Sequence, residues 1–288
     1  SVENYISKYC KTNFRGNIRR PLKRLESCLN VTYKMFYGNI NNDEYKTLME
    51  LFFCMLKKRF ELRNDKNLIL DNWNFYLNNA FNLINEKKAS LFVTFNNETP
   101  IAFSLNFHFN TVFYFAIPTF DLDYSKFTLG NTVIYKNLEW CFENGFDIFD
   151  MGYGGFENKI NWCNTTYNFE HHVMSKPKNI LSNLYAFMLK HKYRIINYLI
   201  LKNLTTKFRN LKNYFKKEQV NNFIEYKFIK LEKAYTLENN NILKTSFNKE
   251  SNNYLMKPVC DFLYTNKEHI NDVEVFKILN EHHAYFIK

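Results

Sequence analysis

Between Leu91 and Ile117 the apolar residues stop recurring every three or four positions and run together or alternate instead, broken by two short polar stretches. Leu91–Phe95 and Pro100–Phe109 read as antiparallel strands joined by the turn Asn96–Thr99. Asn110 and Thr111 then turn the chain into a third strand, Val112–Ile117. The flanks have helical spacing. Asp43 opens a helix with Leu48, Leu51, Phe52, Met55 and Leu56 on its apolar face, ending near Phe60. After a polar loop, Arg63–Asp71, Trp73–Glu86 repeats the pattern with Phe75, Leu77, Ala80, Phe81 and Ile84. Basic and apolar residues interleave from Phe14 to Leu25 as in an amphipathic helix, so the chain does not open like a domain start. Downstream come an irregular loop, Pro118–Leu129, and a helix, Thr132–Glu143, ended at Asn144 and Gly145. A short strand Phe146–Met151, a glycine loop, a helix Glu157–Trp162 and a strand Asn168–Met174 follow. Phe223–Ile229 suits a further strand and Leu255–Lys288 small helices. The fold class is α/β of the α+β kind: a mixed, largely antiparallel sheet flanked by helices, with a C-terminal helical extension.

Composition excludes several classes. At 288 residues and 46% apolar, the chain holds one large or two modest domains and is not disordered throughout. The longest apolar window, Ile180–Leu201, is interrupted by Lys190, His191, Lys192 and Arg194, which excludes a membrane span. Cys10, Cys28, Cys54, Cys141, Cys163 and Cys260 lie far apart, so they read as reduced thiols of a cytoplasmic protein, forming neither a disulfide framework nor a zinc site. The pairs His171–His172 and His282–His283 lack metal-ligand spacing, and no metal is expected.

The net charge of +11 is concentrated. From Lys176 to Val220 there are eleven basic residues and one acid, Glu218, leaving +1 for the remaining chain. Apolar residues at helical spacing in the same stretch suit one or two amphipathic helices with cationic faces. Such a face is either simply solvated or a dock for an acidic partner: an acyl carrier protein, anionic lipid at the inner membrane face, or tRNA.

Of seven glycines, five (Gly130, Gly145, Gly152, Gly154, Gly155) fall within one short stretch. Gly130 stands at a helix start, with Asn131 and Thr132 able to cap it, where unpaired N–H groups and the helix dipole would face an anion. An ordinary loop-to-helix turn is the competing reading. Asp150 ends a strand just before Gly152, and Lys159 lies one turn into the next helix. That places opposite charges around a reacting polar group, or else forms a salt bridge that locks the loop.

The segments Phe127–Ile134, Glu139–Gly152 and Glu157–Trp162, taken in order, resemble the CelD-like branch of the GNAT acyltransferase superfamily. Arg15–Arg20 and the strand at Pro100–Ala102 resemble it too, so the likeness runs from about residue 5 to about residue 175. The resemblance implies a GNAT fold in residues 1–175, followed by basic amphipathic helices in 176–220 and a small appendage in 221–288. It implies transfer of an acyl group from a phosphopantetheine thioester, acyl-CoA or acyl carrier protein, to an amine on a small molecule or peptide. By position the pantetheine arm would lie along Val112–Ile117, at Phe115, Ala116 and Ile117, and the pyrophosphate at Leu129, Gly130, Asn131 and Thr132. Phe127–Thr132 departs from the superfamily's usual cofactor loop, having one glycine and no leading Arg or Gln.

Amine acylation needs a base, an oxyanion donor and an acid for the thiolate. Asp150 or Asp121 would be the base or amine-orienting carboxylate, backbone N–H groups along Val112–Ile117 the oxyanion donors, Tyr153 the acid, and Lys159 the accompanying cation. His108 is another possible base, but its apolar strand makes a structural role the stronger reading. The rival functions are a Fem-like aminoacyl-tRNA-dependent transferase, which shares the fold, and an inactive GNAT-fold binding module.

Overall fold

Asn97 and Asn110, the two asparagines expected in tight turns, both adopt left-handed backbone, with φ of 52° and 54°. Asparagine tolerates this region better than most residues, and both turns close two-residue hairpin loops. The computed structural model describes residues 1–63, 67–153, 157–202, 204, 226–228, 242–247, 253–278 and 285–287. The predicted Gly154 and Gly155, and much of 203–252, lie outside the described residues.

The chain opens with helices α1 (Val2–Tyr9) and α2 (Thr12–Cys28), strand β1 (Val31–Phe36), and helices α3 (Asn42–Arg63), α4 (Leu68–Asp71) and α5 (Trp73–Asn85). Strands β2 (Ala89–Asn96), β3 (Thr99–Phe109) and β4 (Val112–Phe120) form the meander. A 3₁₀ turn (Leu122–Phe127), α6 (Leu129–Glu143), β5 (Ile148–Asp150) and α7 (Glu157–Trp162) follow. The five strands lie in the order β1-β2-β3-β4-β5; every pair is antiparallel except β4 with β5.

The sheet separates two cores. On one face α3 and α5 bury Tyr45, Leu48, Met49, Phe52, Leu56, Ala80 and Ile84 against Leu91, Val93, Phe103 and Leu105. Phe52 stacks on Phe103 with ring centroids 5.0 Å apart. The residue whose side chain caps α3 is Asn41, accepting from the Glu44 N–H, and not the expected Asp43. On the other face α1, α2 and α6 pack against Phe92, Ala102, Phe113 and Phe115. Helix α6 is buried nearly all round, so Asn137 must be satisfied internally: it donates to Ser104 Oγ and to the Val133 carbonyl and accepts from Asn106. The helix ends at Asn144, and Gly145 takes φ 72°, as the sequence suggested.

By its contacts the chain forms two units, residues 1–164 with 226–288, and residues 165–225. In the first, α9 (Asn253–Asn266) buries Leu255, Met256, Val259, Cys260 and Leu263 in the core that holds α2 and the 3₁₀ turn. After it come no further α-helices among the described residues. The predicted small helices give way to a 3₁₀ turn (Ile270–Asp272) and a three-stranded sheet of β6 (Ile242–Lys244), β7 (Val275–Ile278) and β8 (Tyr285–Ile287). Val275 and Phe276 are buried and β-branched or aromatic, the signature of strand and not helix.

In the second unit, residues 165–176 carry no regular structure, so the predicted strand Asn168–Met174 is absent. Phe169 and Val173 are exposed there, and an alternating pattern with no ladder to join does not make a strand. Helix α8 (Ile180–Leu201) is capped by Asn179. Lys176, Lys178, Lys190, Lys192, Arg194 and Lys202 are all exposed, and Ile180, Leu184, Phe187, Met188 and Ile195 are exposed with them. The basic residues from Lys207 to Lys217 lie outside the described residues. No helix among the described residues is long and apolar enough to cross a membrane.

Candidate functional site

Strand β4 is supported differently along its length. Val112, Phe113 and Tyr114 pair with β3 on one side and with Ile148, Phe149 and Asp150 on the other. Beyond Tyr114 the β5 side of β4 has no strand partner among the described residues. Just there, β4 carries a bulge: Leu105 faces Ile117 and Asn106 faces Phe115, which leaves Ala116 extra. The inserted residue reverses the alternation. Phe113 and Phe115 enter the core beneath α6, whereas Ile117 enters the core beneath α3. Pro118 follows, in a position only an edge tolerates. Having no N–H, it belongs to a pair that exchanges no ladder bonds with β3, so its carbonyl points to the open side. Of the positions predicted for a pantetheine arm, Phe115 and Ile117 therefore give their side chains to the cores, and only the backbone of this stretch faces the opening.

The open end of β4 leads to the start of α6. Asp121 Oδ1 accepts from the Asp123 N–H and so caps the 3₁₀ turn. Thr128, a β-branched residue, is held at φ 50° before the helix with no side-chain cap, and its hydroxyl is buried without a hydrogen-bond partner. The Asn131 and Thr132 N–H groups both donate to the Thr128 carbonyl, at 2.9 and 3.4 Å. Among the described residues the Leu129 and Gly130 N–H groups have no acceptor. Gly130 lies against the Phe120 ring, where a Cβ would stand 3.1 Å from Cε1. Leu129 and Thr132 are core side chains, and Asn131 Oδ1 accepts from the Trp162 indole N–H at 3.2 Å, tying α7 to the start of α6.

Asp150 stands at the closed end, paired with Tyr114, and its Oδ1 accepts from the Gly152 N–H at 2.7 Å. Gly152 takes φ 67°, and a Cβ there would lie 2.9 Å from the Tyr114 hydroxyl. Burial, with the charge of Asp150 adding to it, raises the Tyr114 phenol above its ordinary pKa. Lys159 Nζ donates to the carbonyls of Met151 (2.6 Å) and Tyr153 (3.1 Å), which fixes the loop after β5. Burial lowers the Lys159 pKa, and Cys163 and Asp150 partly offset this. Tyr153 is exposed.

The structure thus gathers Asp150, Lys159 and Tyr153 around one loop, and Leu129–Thr132 around another. It does not bring Asp121 to Asp150: Asp121 follows Phe120, roughly 20 Å along β4 from Tyr114 at about 3.3 Å per residue. His108 is enclosed by the rings of Tyr37, Phe113, Trp140 and Phe146, with both nitrogens unpartnered, and burial pushes its pKa down to about 4. That environment fits the structural reading. Tyr114 was not among the residues the sequence suggested; its contact with Gly152 comes from the pairing of β4 with β5, which no local pattern in the sequence marks. Among the described residues no group of three His, Cys, Asp or Glu side chains could hold a metal ion.

Comparison with known proteins gives a family and a distant likeness. The model of the acetyltransferase (GNAT) domain family matches residues 12–159. No curated protein matches the chain. Crystal structures of meta-AAC0020, an aminoglycoside acetyltransferase from an uncultured soil metagenomic sample, in complex with trehalose and with sisomicin, are 10% identical to it. They cover 51% of this chain and 97% of their own, with TM-scores of 0.36 and 0.37.

Proposed function

The chain belongs to the GNAT acetyltransferase family, and from that premise we propose that it moves an acyl group from a phosphopantetheine thioester, acyl-CoA or acyl carrier protein, to an amine. The observation that carries this reading is the division of β4. Its open edge runs roughly 20 Å from the Tyr114–Asp150 pair to Phe120, where Gly130 and two N–H groups without acceptors lie. An extended pantetheine arm fits along that edge, with phosphate at the α6 end and thioester at the Asp150 end. The bulge at Ala116 turns backbone toward the opening at mid-course.

In this reading Leu129 and Gly130 donate to phosphate, and the favourable dipole of α6 adds to them. Asp150, fixed by the Gly152 N–H, orients the amine and takes its proton. Tyr114, a phenol kept protonated by burial, stands with the exposed Tyr153 as the acid for the thiolate. Lys159 holds the loop that carries Asp150 and Tyr153 in position. Asp121, at the phosphate end, is left with its capping role. The order of Gly130, Gly145, Asp150, Gly152, Lys159 and Trp162 supports a place in the CelD-like branch of the family. A Fem-like transferase drawing on aminoacyl-tRNA is the second reading, favoured by the six exposed basic residues between Lys176 and Lys202. The same surface would suit an acyl carrier protein or anionic lipid.

The test is thermal-shift and intact-mass screening against acetyl-CoA, long-chain acyl-CoA, acyl carrier protein and aminoacyl-tRNA, followed by thioester consumption with a panel of small-molecule and peptide amines. Stabilisation by a pantetheine thioester and amine-dependent consumption support the proposal. Binding of tRNA alone, steep in salt, moves the assignment to the second reading, and no binding of any donor leaves a binding module.

A further inference from the structure

Arg59, one turn from the end of α3, has been drawn to an unusual place. Its Nη1 donates to the Pro118 carbonyl at 3.2 Å, the carbonyl that points to the open side of β4. Its guanidinium carbon lies 4.3 Å from the centre of the Phe120 ring, the same ring against which Gly130 is packed. No carboxylate lies within ion-pair distance of it among the described residues, and the charge that acts on it is the like charge of Arg63. Lys58, beside it on α3, takes Asp123 at 3.7 Å. Burial and Arg63 together push the Arg59 pKa down to about 10, so the cation is held where its charge is disfavoured.

Two facts resist a purely structural account. A helix C-terminus favours basic residues, which accounts for Arg63 but not for drawing Arg59 over the strand end. One aromatic contact and one carbonyl satisfy little of a group with five donors, and the Nε is buried with no partner. The Phe120 ring links Arg59 to other unanswered polar groups at the start of α6: the buried Thr128 hydroxyl and the Leu129 and Gly130 N–H groups. A cation, a hydroxyl and two backbone donors gather around this strand end, while the acids near them are engaged, Asp121 by the Asp123 N–H and Asp123 by Lys58; such a set of donors is complementary to a multiply charged anion.

We infer that Arg59, assisted by Arg63, is the cation that binds the phosphate of the thioester carrier at the open end of β4. This rests on the donor placement proposed above and names the residue that sets its affinity. It makes recognition depend on α3, on the opposite side of the sheet from α6, so that the donor phosphate bridges the two helices across the strand end. It also assigns a role by end: Arg59 discriminates charged carriers from uncharged thioesters, with no part in the chemistry at Asp150.

Isothermal titration of the full chain with acetyl-CoA, inorganic pyrophosphate and S-acetylpantetheine, which has no phosphate, tests this. In Arg59→Gln, acetyl-CoA and pyrophosphate are expected to bind at least tenfold more weakly while S-acetylpantetheine is unchanged; Arg59→Lys should recover part of the loss. Arg63→Gln changes an exposed side chain, so it keeps the fold even if Arg59→Gln does not, and a two- to fivefold loss for pyrophosphate is expected there, about 0.4–1 kcal/mol. Unaltered pyrophosphate binding in the folded Arg59 variants overturns the inference. So does an equal loss for all three probes, which marks Arg59 as packing alone. Pyrophosphate binding that depends on Arg59, without binding of either thioester, sustains the anion site and overturns the transferase reading. Absence of binding by the unaltered protein overturns both.

Discussion

The two halves of β4 show what an unpartnered polar group means in different surroundings. In the closed half, His108 leaves both ring nitrogens without partners, sealed among Tyr37, Phe113, Trp140 and Phe146. In the open half, Arg59 Nε and the Thr128 hydroxyl are also unpartnered, but they border an edge from which β5 has departed. A buried orphan inside an aromatic cage weakens the fold and offers nothing to a ligand, whereas the anion-site proposal makes the orphans beside the open edge partners of the donor phosphate. The switch between the two regimes is the bulge at Ala116, which moves the buried face of β4 from one core to the other.

Deleting the ring at the centre of the closed half gives the sharpest contrast. Phe113 is fully buried and touches four aromatic rings, so Phe113→Ala should cost about 3–5 kcal/mol in denaturant unfolding while donor affinity of the folded fraction is unchanged. Phe120→Ala, in the open half, should cost about 1–2 kcal/mol and also weaken donor binding, because Arg59 and Gly130 both rest on that ring. Equal stability losses with no effect on donor affinity in either would erase the distinction.

Next in size is the chemistry. Asp150→Asn keeps an oxygen to accept from the Gly152 N–H, so melting should be unchanged while kcat falls about 100-fold or more. Asp121→Asn, at the far end of β4, should change kcat by less than about threefold. A reversed ranking would relocate the reacting centre to the α6 end.

His108 supplies a pH test. Its folded pKa, down to about 4, lies below the ordinary value of about 6.5, so the folded protein favours the neutral ring. The contribution to stability is complete above pH 6.5 and is lost as pH falls from there towards 4, because the unfolded chain takes up a proton that the folded chain does not. Unfolding free energies at pH 7 and pH 4.5 should show about 1–2 kcal/mol more loss in the unaltered protein than in His108→Leu. Parallel pH profiles would mean that the cage admits water.

These comparisons also mark what the amino-acid order reveals. The meander, α5, α6 and α7 were legible because their signals are local: asparagine turns, a period of two, and glycine at a helix end. Strand β1 was missed although Val31, Tyr33 and Met35 alternate with Thr32 and Lys34, because the run is short, lies between helices, and gains its ladder only from β2, some sixty residues on. The pairing of Asn131 with Trp162 could be guessed only as two halves of one motif. The contacts of Arg59 with Pro118 and Phe120, and of Tyr114 with Gly152, join residues tens of positions apart or on separate elements, and no periodicity encodes them. The candidate site was therefore readable at its glycines and carboxylate, while the cation proposed for it was hidden.

The smallest effect is expected at Thr128. A β-branched residue at φ 50° is strained by about 1 kcal/mol, which glycine would relieve, though glycine also gains freedom in the unfolded chain. The balance should favour Thr128→Gly by about 0.5 kcal/mol, a rise in Tm of about 1–2 °C. If the hydroxyl serves only the turn, that gain arrives with no functional loss. If it belongs to the anion site at the open end, the more stable variant should bind pyrophosphate about tenfold more weakly, the loss of one hydrogen bond to a charged acceptor. Stability and affinity moving in opposite directions at one residue would show that the strain before α6 is retained for the donor.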